Sequence, residues 1–460
     1  MTRMTFAVLS LVAVALAAPV RAPRAQQIAQ RTIERSAVEV AIWGLSAVSY
    51  ERLYQALLSV NGASNQVVYW SHLSDWKNQT LWAHSDAVNL LAFIDTKDVG
   101  PMVIEVPWAD SGAMTGTIAD AMLRNLEVIG PAGKDNGKFA RYLVLPPNYK
   151  GGDPQGYYIL RPKTFQVVIA AHSLVQGSTT ADVARAGDYV RQLKFYPLNR
   201  VMRSPPMRFI DASDVIFDAT IPYDVRLFRS LDGLVEREPW LTGDTVVANR
   251  LATIGIVKGQ PFAPDSAMEA LLDRAAVQAH STIDERYQAA LARPFWPAGV
   301  GGGGGGGALR WAAPDSAKSA TVSVAFASPK REGKGELALL AIQDSAGAPF
   351  DGAATYHLTV PHTVPVKGYW SVTVYDRTTH TAIREVPWSG RSSHTAGLVR
   401  NADSSVTFYF SPSPPPGVEA NWLPTKAGNA FEVVFRFYGP EQALLTKTWR
   451  LPDVAKVRSH

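Results

Sequence analysis

The sequence predicts a mainly β protein with α-helices: an N-terminal β-sandwich domain, a helical middle segment and a C-terminal jelly-roll-like β-sandwich. In two separate regions, short runs rich in Val, Ile and aromatic residues alternate with Gly, Pro, Asn and Asp, which is typical of strands joined by tight turns. Between these regions the apolar residues recur at helical spacing. With 460 residues, 47% of them hydrophobic and 18% charged, the chain can bury more than one core.

The first 25 residues predict a secretory signal peptide. Arg3 precedes an apolar run from Phe6 to Ala18, and small residues follow, which is the usual order of a signal peptide. Cleavage after Ala17 and cleavage near Ala25 both fit this pattern. The apolar run is too short for a membrane span and no later run reaches its length, so we predict no membrane span. The expected location is the periplasm or the extracellular medium.

Charge and cysteine content exclude several classes of function. The formal net charge is +5, and the predicted signal peptide accounts for three of these positive charges. The remaining Lys and Arg are interspersed with acidic residues instead of forming a basic stripe, so we predict no nucleic-acid partner. The chain has no Cys, which excludes disulfides, thiol catalysis and Cys-ligated metals.

The N-terminal half begins with a predicted helical segment, residues 26–62, whose apolar residues keep helical spacing from Gln30 to Val60. Residues 63–198 are predicted as the first β-sandwich domain, with strand-like runs such as QVVYW (66–70), NLLAFID (89–95) and FQVVIAAH (165–172). A helix is predicted over residues 178–198, where Pro197 would stop it.

The middle of the chain, residues 199–299, is predicted to be mainly helical. Ser266 followed by Glu269 forms a capping-box pattern that predicts the start of a long amphipathic helix. Residues 300–311 contain seven consecutive glycines, Gly301 to Gly307, and lack the Lys-Ser/Thr of a phosphate-binding loop. We interpret them as a flexible surface loop.

Residues 312–460 predict the second, jelly-roll-like domain. The run YWSVTVYD (369–376) alternates between an apolar set and a polar-aromatic set, and ATVSVAFA (320–327) and FEVVFRFY (431–438) also have strand composition. Four prolines between Pro412 and Pro416 would end one strand and stiffen the loop that leads to Asn421 and Trp422.

Known catalytic and metal-binding motifs are absent from the sequence. It contains no His-Glu-x-x-His motif, no Walker loop, no strand-anchored Gly-x-Gly-x-x-Gly and no Gly-x-Ser-x-Gly elbow. His357 and His362 are separated by an odd interval, which places them on opposite faces of a regular strand and makes them poor joint ligands. We therefore predict no metal and no cofactor.

Two polar-aromatic segments are the candidates for a site. Aromatic rings offer stacking surfaces, while Asp, Asn and Arg can orient hydroxyl or carboxylate groups. The predicted catalytic residues are Asp86, Asp376 and His84. The predicted substrate-binding residues are Trp82, Asn89, Tyr369, Trp370, Tyr375, Asn421, Trp422 and Arg436. The competing interpretation is that the aromatic side chains fill sandwich cores and Asp376 caps a turn.

These segments resemble a bacterial family that pairs the domain of unknown function 1254 with the domain of unknown function 1214. The N-terminal resemblance rests on WAHSDAVNLLAFID (82–95), and the C-terminal one on GYWSVTVYD (368–376) and ANWLPTKAGNAFEVVFRFYGP (420–440). The resemblance implies two β domains with a helical segment between them, exported in many members, and it implies no particular reaction. Ser404 and Ser411 stand where the family usually has Gly, and the Gly301–Gly307 run is an insertion.

The sequence leaves several functions open. The leading hypothesis is an exported protein that binds or processes a carbohydrate or another small polar compound in a cleft between the β domains. As a hydrolase or lyase it would use Asp86 and Asp376, provided that the two carboxylates face one cleft about 5–10 Å apart. The alternatives are a non-catalytic envelope-binding protein and a structural protein with protein partners, including copies of itself.

Overall fold

The computed structural model describes residues 21–109, 113–239, 245–296, 309–313 and 335–458. Within them, two β-sandwiches and a layer of helices confirm a mainly β fold with α. The predicted signal peptide lies outside the described residues up to residue 20, and residues 21–25 begin the first helix. The glycine run and the predicted strand ATVSVAFA also lie outside them.

The N-terminal β domain is a sandwich of two sheets. A six-stranded sheet has the order β11-β1-β3-β9-β5-β6, and a four-stranded sheet has the order β10-β4-β7-β8. Alternate residues of the long strands, such as Val167 and Ile169 of β9, face the core between the sheets. The elements are α1 (Arg21–Ser59), β1 (Gln66–Tyr69), β2 (Asn78–Gln79), β3 (Ala87–Asp95), β4 (Met102–Val106), β5 (Met114–Asp120), β6 (Asn125–Ile129), β7 (Ala140–Val144), β8 (Tyr158–Leu160), β9 (Gln166–Leu174), α2 (Thr180–Val190), β10 (Lys194–Pro197), β11 (Phe209–Asp211) and β12 (Phe217–Asp218).

The predicted helix over residues 178–198 is shorter in the structure. Thr179 and Asp182 form a capping box at its start, and α2 ends at Val190. The residues that follow do not continue the helix, because Lys194–Pro197 pairs antiparallel with β4 as an edge strand. Proline at the end of an edge strand costs no ladder hydrogen bond, which explains why the same Pro197 fits both interpretations.

A helical layer covers the other face of the six-stranded sheet. It consists of α1, α3 (Val225–Arg237), α4 (Thr245–Thr253) and α5 (Ser266–Leu291). Leu91 and Val168 from the sheet pack in one core with Leu231 and Leu272 from the helices. The cap of α5 is Asp265, whose side chain accepts from the Met268 N–H, so the cap lies one residue before the predicted Ser266. None of the helices in the described part of the chain has the length and apolarity of a membrane span.

The C-terminal domain is also a two-sheet sandwich. One sheet has the order β13-β19-β15-β16 and the other β18-β17-β14-β20, and their facing side chains form a single core. The elements are β13 (Glu336–Ala341), β14 (Tyr356–Val360), β15 (Trp370–Asp376), β16 (Gly390–Ser392), β17 (Val406–Ser411), β18 (Trp422–Pro424), β19 (Phe431–Tyr438), α6 (Gln442–Leu445) and β20 (Ala455–Lys456).

Strand β19 shows how the two β domains meet. Its odd-numbered residues, from Phe431 to Phe437, face the C-terminal core. Its even-numbered residues Glu432, Arg436 and Tyr438 contact residues 82–84 of the N-terminal domain through their side chains. All eight residues of the strand are buried. The outer face of the β13-β19-β15-β16 sheet is therefore an interdomain interface.

Candidate functional site

The loop between β2 and β3 is clamped onto the C-terminal sheet through its backbone. The Arg436 guanidinium donates to the Trp82 carbonyl at 2.9 Å, and the Tyr375 hydroxyl donates to the Ala83 carbonyl at 2.6 Å. Trp82 has a φ of 45°, a left-handed conformation that a bulky residue rarely adopts. The clamps hold this conformation and so fix the position of the following residues, His84 and Asp86.

One buried polar cluster on this interface is fully hydrogen bonded; we call Glu432, Trp82, Tyr287 and His380 the Glu432 cluster. Trp82 Nε1 donates to one carboxylate oxygen of Glu432 at 2.5 Å, and the Tyr287 hydroxyl donates to the other at 2.7 Å. His380 Nδ1 lies 3.0 Å from the first oxygen. The cluster ties α5, the β2–β3 loop and β19 together, which is a structural role.

A second cluster lies further along β19; we call His84, His172 and Glu336 the His84 cluster. The two imidazole rings are stacked with centroids 3.7 Å apart. His172 Nε2 lies 3.4 Å from Glu336 Oε2, and Arg436 Nε lies 3.4 Å from Glu336 Oε1. One ligand atom from each residue of the cluster lies within 4.8 Å of the other two. These atoms come from β9, β13 and the β2–β3 loop, so both domains build the cluster.

The surroundings of His84 disfavour protonation of its imidazole. Burial lowers the pKa of His84 well below its usual value, and the nearby His172 and Arg436 lower it further. Its Nδ1 lies 2.8 Å from the Tyr438 hydroxyl. A neutral ring keeps one nitrogen lone pair free for a ligand or a proton.

Asp86 lies beside this cluster, and its carboxylate is unusually placed. The residue is 7% exposed, and neither carboxylate oxygen has a hydrogen-bond partner within the described ranges. Burial raises the pKa of Asp86, and the Arg436 charge and the nearby Ser371 hydroxyl only partly oppose this. A buried carboxylate with so little support is costly, because its desolvation is only partly compensated.

Three aromatic rings form a stack next to Asp86. Tyr369 stacks on Tyr438 with centroids 4.3 Å apart, and His394 stacks on the other side of Tyr369 at 4.7 Å. The Tyr369 hydroxyl donates to the Asp86 carbonyl at 3.2 Å. The stack therefore connects the His84 cluster with the surface loop that carries His394.

A cleft of about 340 Å³ opens between the domains and reaches Asp86. Its lining consists of residues 73–75, 85–86, 175, 177–178 and 183 of the N-terminal domain and residues 387–392 and 394–396 of the C-terminal domain. The Arg391 guanidinium lies 3.7 Å above the Trp388 ring, and Arg391 Nε donates to the Ala420 carbonyl. Burial lowers the pKa of Arg391 to about 10, so it is charged at neutral pH.

Several predicted site residues lie at the interdomain interface and hold the loop that carries His84 and Asp86. The Asn89 side chain accepts from the His84 N–H and donates to the His84 carbonyl at 2.6 Å, which shapes the loop before Asp86. Trp82, Tyr375 and Arg436 act through the contacts described above. The structure thus brings Asp86, His84, Trp82, Asn89, Tyr369, Tyr375 and Arg436 together.

The other predicted residues lie elsewhere. Trp370 faces the C-terminal core, where it stacks on Phe435 at 5.4 Å. The Asn421 side chain accepts from the Val399 N–H and donates to two carbonyls, and so holds loops together. Trp422 lies behind the cleft wall, where its carbonyl accepts from Trp388 Nε1.

Asp376 is not brought near Asp86. Its carboxylate accepts from the N–H groups of Thr378 and Thr379 and from Asn429, and so caps the turn after β15. Asp86 contacts Tyr369 just before the other end of that strand. At about 3.3 Å per residue, the strand separates the two positions by roughly 20 Å.

Sequence reasoning did not select His172, Glu336, Trp388 or Arg391. His172 lies at the end of a predicted strand and Glu336 begins another, and neither belongs to a motif. A usable signal was the pair Glu432 and Arg436, two charged residues in a strand of apolar and aromatic neighbours. Charges at alternate positions of such a strand indicate that its second face is buried against a polar partner.

Comparison with known proteins gives family matches and structural neighbours. The family model described as "Protein of unknown function (DUF1254)" matches residues 64–197, and "Protein of unknown function (DUF1214)" matches residues 335–442. No curated protein matches the chain. The crystal structure of the VPA0106 protein from Vibrio parahaemolyticus matches with a TM-score of 0.54 at 15% identity, covering 93% of this chain and 100% of that one. A putative uncharacterized protein from Burkholderia cenocepacia has a TM-score of 0.44 at 12% identity, over 95% of this chain and 98% of that one. The first likeness shows a shared fold.

Proposed function

The chain belongs to the family that joins a DUF1254 domain to a DUF1214 domain, and from its own cleft we propose that it binds a carbohydrate or another small, hydroxyl-bearing compound between its two β domains. The cleft volume of about 340 Å³ lies in the range of small-molecule sites, about 300–1,000 Å³. The N-terminal signal-peptide pattern supports action in the periplasm or outside the cell.

The unpartnered carboxylate of Asp86 is the observation that carries this proposal. It lies in the cleft wall, and the described residues offer neither oxygen a hydrogen bond. A ligand that donates hydroxyl protons would compensate this desolvated group, and hydrogen bonds to a charged partner contribute about 1.5–3 kcal/mol each. Hydroxyl-bearing compounds supply such donors in pairs.

The rest of the cleft fits the same class of ligand. Arg391 places a positive charge over the Trp388 ring, so this wall offers both donors and an aromatic edge. Serine hydroxyls enter from both domains, including Ser74, Ser178 and Ser392. Such a mixture of polar groups and a few rings suits a small polar ligand better than an apolar one.

The proposal concerns binding and does not include a reaction. The other acidic residue of the cleft, Asp75, is paired with Lys77 at 3.3 Å. His84 lies beside Asp86 with its Nδ1 bonded to Tyr438. The predicted acid–base pair of Asp86 and Asp376 would need a separation of about 5–10 Å, whereas Asp376 caps a turn at the far end of β15.

A ligand screen with matched variants tests the proposal. Purified protein treated with EDTA is screened by thermal shift against sugars, sugar acids and polyols, and the affinity of each hit is measured by calorimetry. We expect Asp86→Asn to weaken a hit by at least about tenfold, the effect of losing one charge-assisted hydrogen bond. Arg391→Ala should weaken the same hit.

The control is Asp98→Asn, which removes an exposed carboxylate from the same domain. The affinity of this variant should equal that of the unmodified protein. The absence of any hit, or a hit whose affinity is unchanged in Asp86→Asn, would overturn the proposal. Asp376→Asn is measured in parallel, and a loss of affinity there would restore Asp376 to the site.

A further inference from the structure

We propose that His84, His172 and Glu336 form a binding site for one divalent transition-metal ion, for which Zn²⁺ is the probe. Two imidazoles and one carboxylate are a ligand set that such ions commonly use, with one coordination position left open. The inference is independent of ligand binding in the cleft. It departs from the expectation of no metal, because the three residues come from distant parts of the sequence.

The first observation is that the ligand atoms are spaced nearly as in a zinc site. In a tetrahedral zinc site with bonds of about 2.0–2.1 Å, two ligand atoms lie about 3.3 Å apart. His172 Nε2 and Glu336 Oε2 already lie 3.4 Å apart. Across all three residues the ligand atoms lie within 4.8 Å of one another, so the third ligand needs to approach by at most about 1.5 Å.

The second observation is that one of these ligand atoms, His172 Nε2, is buried without a hydrogen bond from the described residues. His172 is 7% exposed, and no hydrogen bond reaches its Nε2 from the described residues. An unsatisfied buried polar atom costs about 1–3 kcal/mol. The atom lies 3.4 Å from Glu336 Oε2, and one ion between them would satisfy both groups once the ring has turned. A purely structural histidine would instead be expected to use this nitrogen in a hydrogen bond.

The surrounding groups have the roles of outer-shell partners in metal sites. The Tyr438 hydroxyl bonds to His84 Nδ1 at 2.8 Å, which leaves His84 Nε2 for the ion. Arg436 Nε lies on the Glu336 oxygen that does not face His172, so it can orient the carboxylate. Metal-ligating imidazoles almost always have such a partner on the second nitrogen.

Charge and ring geometry define what must change when an ion binds. Two acidic side chains, Asp86 and Glu336, lie near one basic side chain, Arg436, so the cluster offers a cation more acidic than basic groups. The rings of His84 and His172 are stacked at an interplanar angle of 24°, whereas a shared ion lies near the plane of each ring. His172 must therefore rotate about its Cβ–Cγ bond, and its Nε2 loses no hydrogen bond in doing so.

The test is a metal titration of the full, tag-free protein after EDTA treatment. Zn²⁺ is titrated in competition with a colorimetric chelator, and Co²⁺ absorption reports the coordination geometry. We expect one Zn²⁺ per chain. His172→Ala and Glu336→Gln should each lower the affinity by more than about 100-fold, since even outer-shell partners contribute about 10–100-fold.

The matched control is His280→Ala, which removes a half-buried imidazole that stacks on Tyr223 in the helical layer. Its affinity for Zn²⁺ should be unchanged. Thermal unfolding of each variant checks the fold, and the nearly isosteric Glu336→Gln decides the matter if His172→Ala does not fold.

Absence of stoichiometric binding, or equal binding by the unmodified protein and Glu336→Gln, would overturn the inference. A similar loss in His280→Ala would also overturn it. The titration contains no cleft ligand, and the ligand screen contains EDTA, so either proposal can fail without the other.

Discussion

The Glu432 cluster and the Asp86 region lie on the same interdomain interface and differ in their hydrogen bonding. Glu432 is completely buried, yet both of its oxygens accept hydrogen bonds from side chains of other elements. Asp86 is nearly as buried, and its oxygens have no partner within the described part of the chain. Two carboxylates in similar surroundings therefore have opposite hydrogen-bonding states.

This difference in hydrogen bonding indicates that Glu432 stabilises the fold, whereas Asp86 is suited to bind a ligand. A buried charge that is fully hydrogen bonded rigidifies the elements around it, whereas an unpaired one lowers stability. Proteins tolerate such a loss of stability at functional sites, where a ligand supplies the missing hydrogen-bond partners. The unpartnered atoms of Asp86 and His172 are therefore the features that distinguish the site from the rest of the interface.

The largest expected effect is the loss of stability in Glu432→Ala. This change leaves Trp82 Nε1, the Tyr287 hydroxyl and His380 Nδ1 without their acceptor. We expect the free energy of unfolding to fall by about 3–5 kcal/mol, as for a broken buried ion pair. Urea denaturation measures it, with Glu285→Ala on the exposed face of α5 as the control. A decrease in the free energy of unfolding of less than about 1 kcal/mol would show that the hydrogen bonds of Glu432 do not stabilise the fold, and the contrast with Asp86 would be lost.

The buried carboxylate of Glu238 is intermediate between Glu432 and Asp86 in its hydrogen bonding, and its contribution to stability depends on pH. Its carboxylate accepts from two backbone N–H groups, those of Phe165 and Gln166, and burial raises its pKa from 4.5 to about 7. The folded state thus binds more protons than the unfolded state between about pH 4.5 and 7. The contribution of Glu238 to stability is full below pH 4.5 and is lost as the pH rises to about 7.

This difference in pKa corresponds to about 3 kcal/mol. Urea denaturation between pH 4 and 8 measures it as the difference between the unmodified protein and Glu238→Gln. The variant is destabilised at low pH, where it lacks the protonated carboxyl, and it should not show the decrease between pH 4.5 and 7. An identical pH profile in both proteins would show that the backbone donors fully compensate the charge.

The sequence predicted strands and core faces well, because alternation is a local property. The faces of β15 are separated as predicted, with Trp370, Val372 and Val374 in the core. Alternation could not show that the opposite face is also buried, since its partner, the loop around Trp82, lies almost 300 residues earlier. For the same reason His172 and Glu336 were not predicted: each is ordinary in its own segment, and only the packing of the two domains brings them together.

Tyr438→Phe tests whether the Tyr438 hydroxyl orients His84 in the His84 cluster. The ring and its stacking on Tyr369 are kept, while the hydroxyl that bonds to His84 Nδ1 is lost. We expect the Zn²⁺ affinity to fall by about 10–100-fold and the melting temperature of the metal-free protein to change little. Tyr409→Phe, at a half-buried position of the same domain, is the control. An unchanged affinity would mean that Tyr438 does not orient His84 for the ion.

The smallest expected effect on stability is that of Asp86→Asn, and its sign is the critical point. The substitution removes a buried carboxylate whose desolvation Arg436 and Ser371 compensate only in part, so the free energy of unfolding should stay within about 1 kcal/mol or rise. Urea denaturation at pH 7 of the unliganded protein measures it beside Glu432→Ala. A loss of about 3 kcal/mol would show that the Asp86 carboxylate is stabilised in the folded protein. The two buried carboxylates would then have the same role, and the cleft would lose its strongest argument for a ligand.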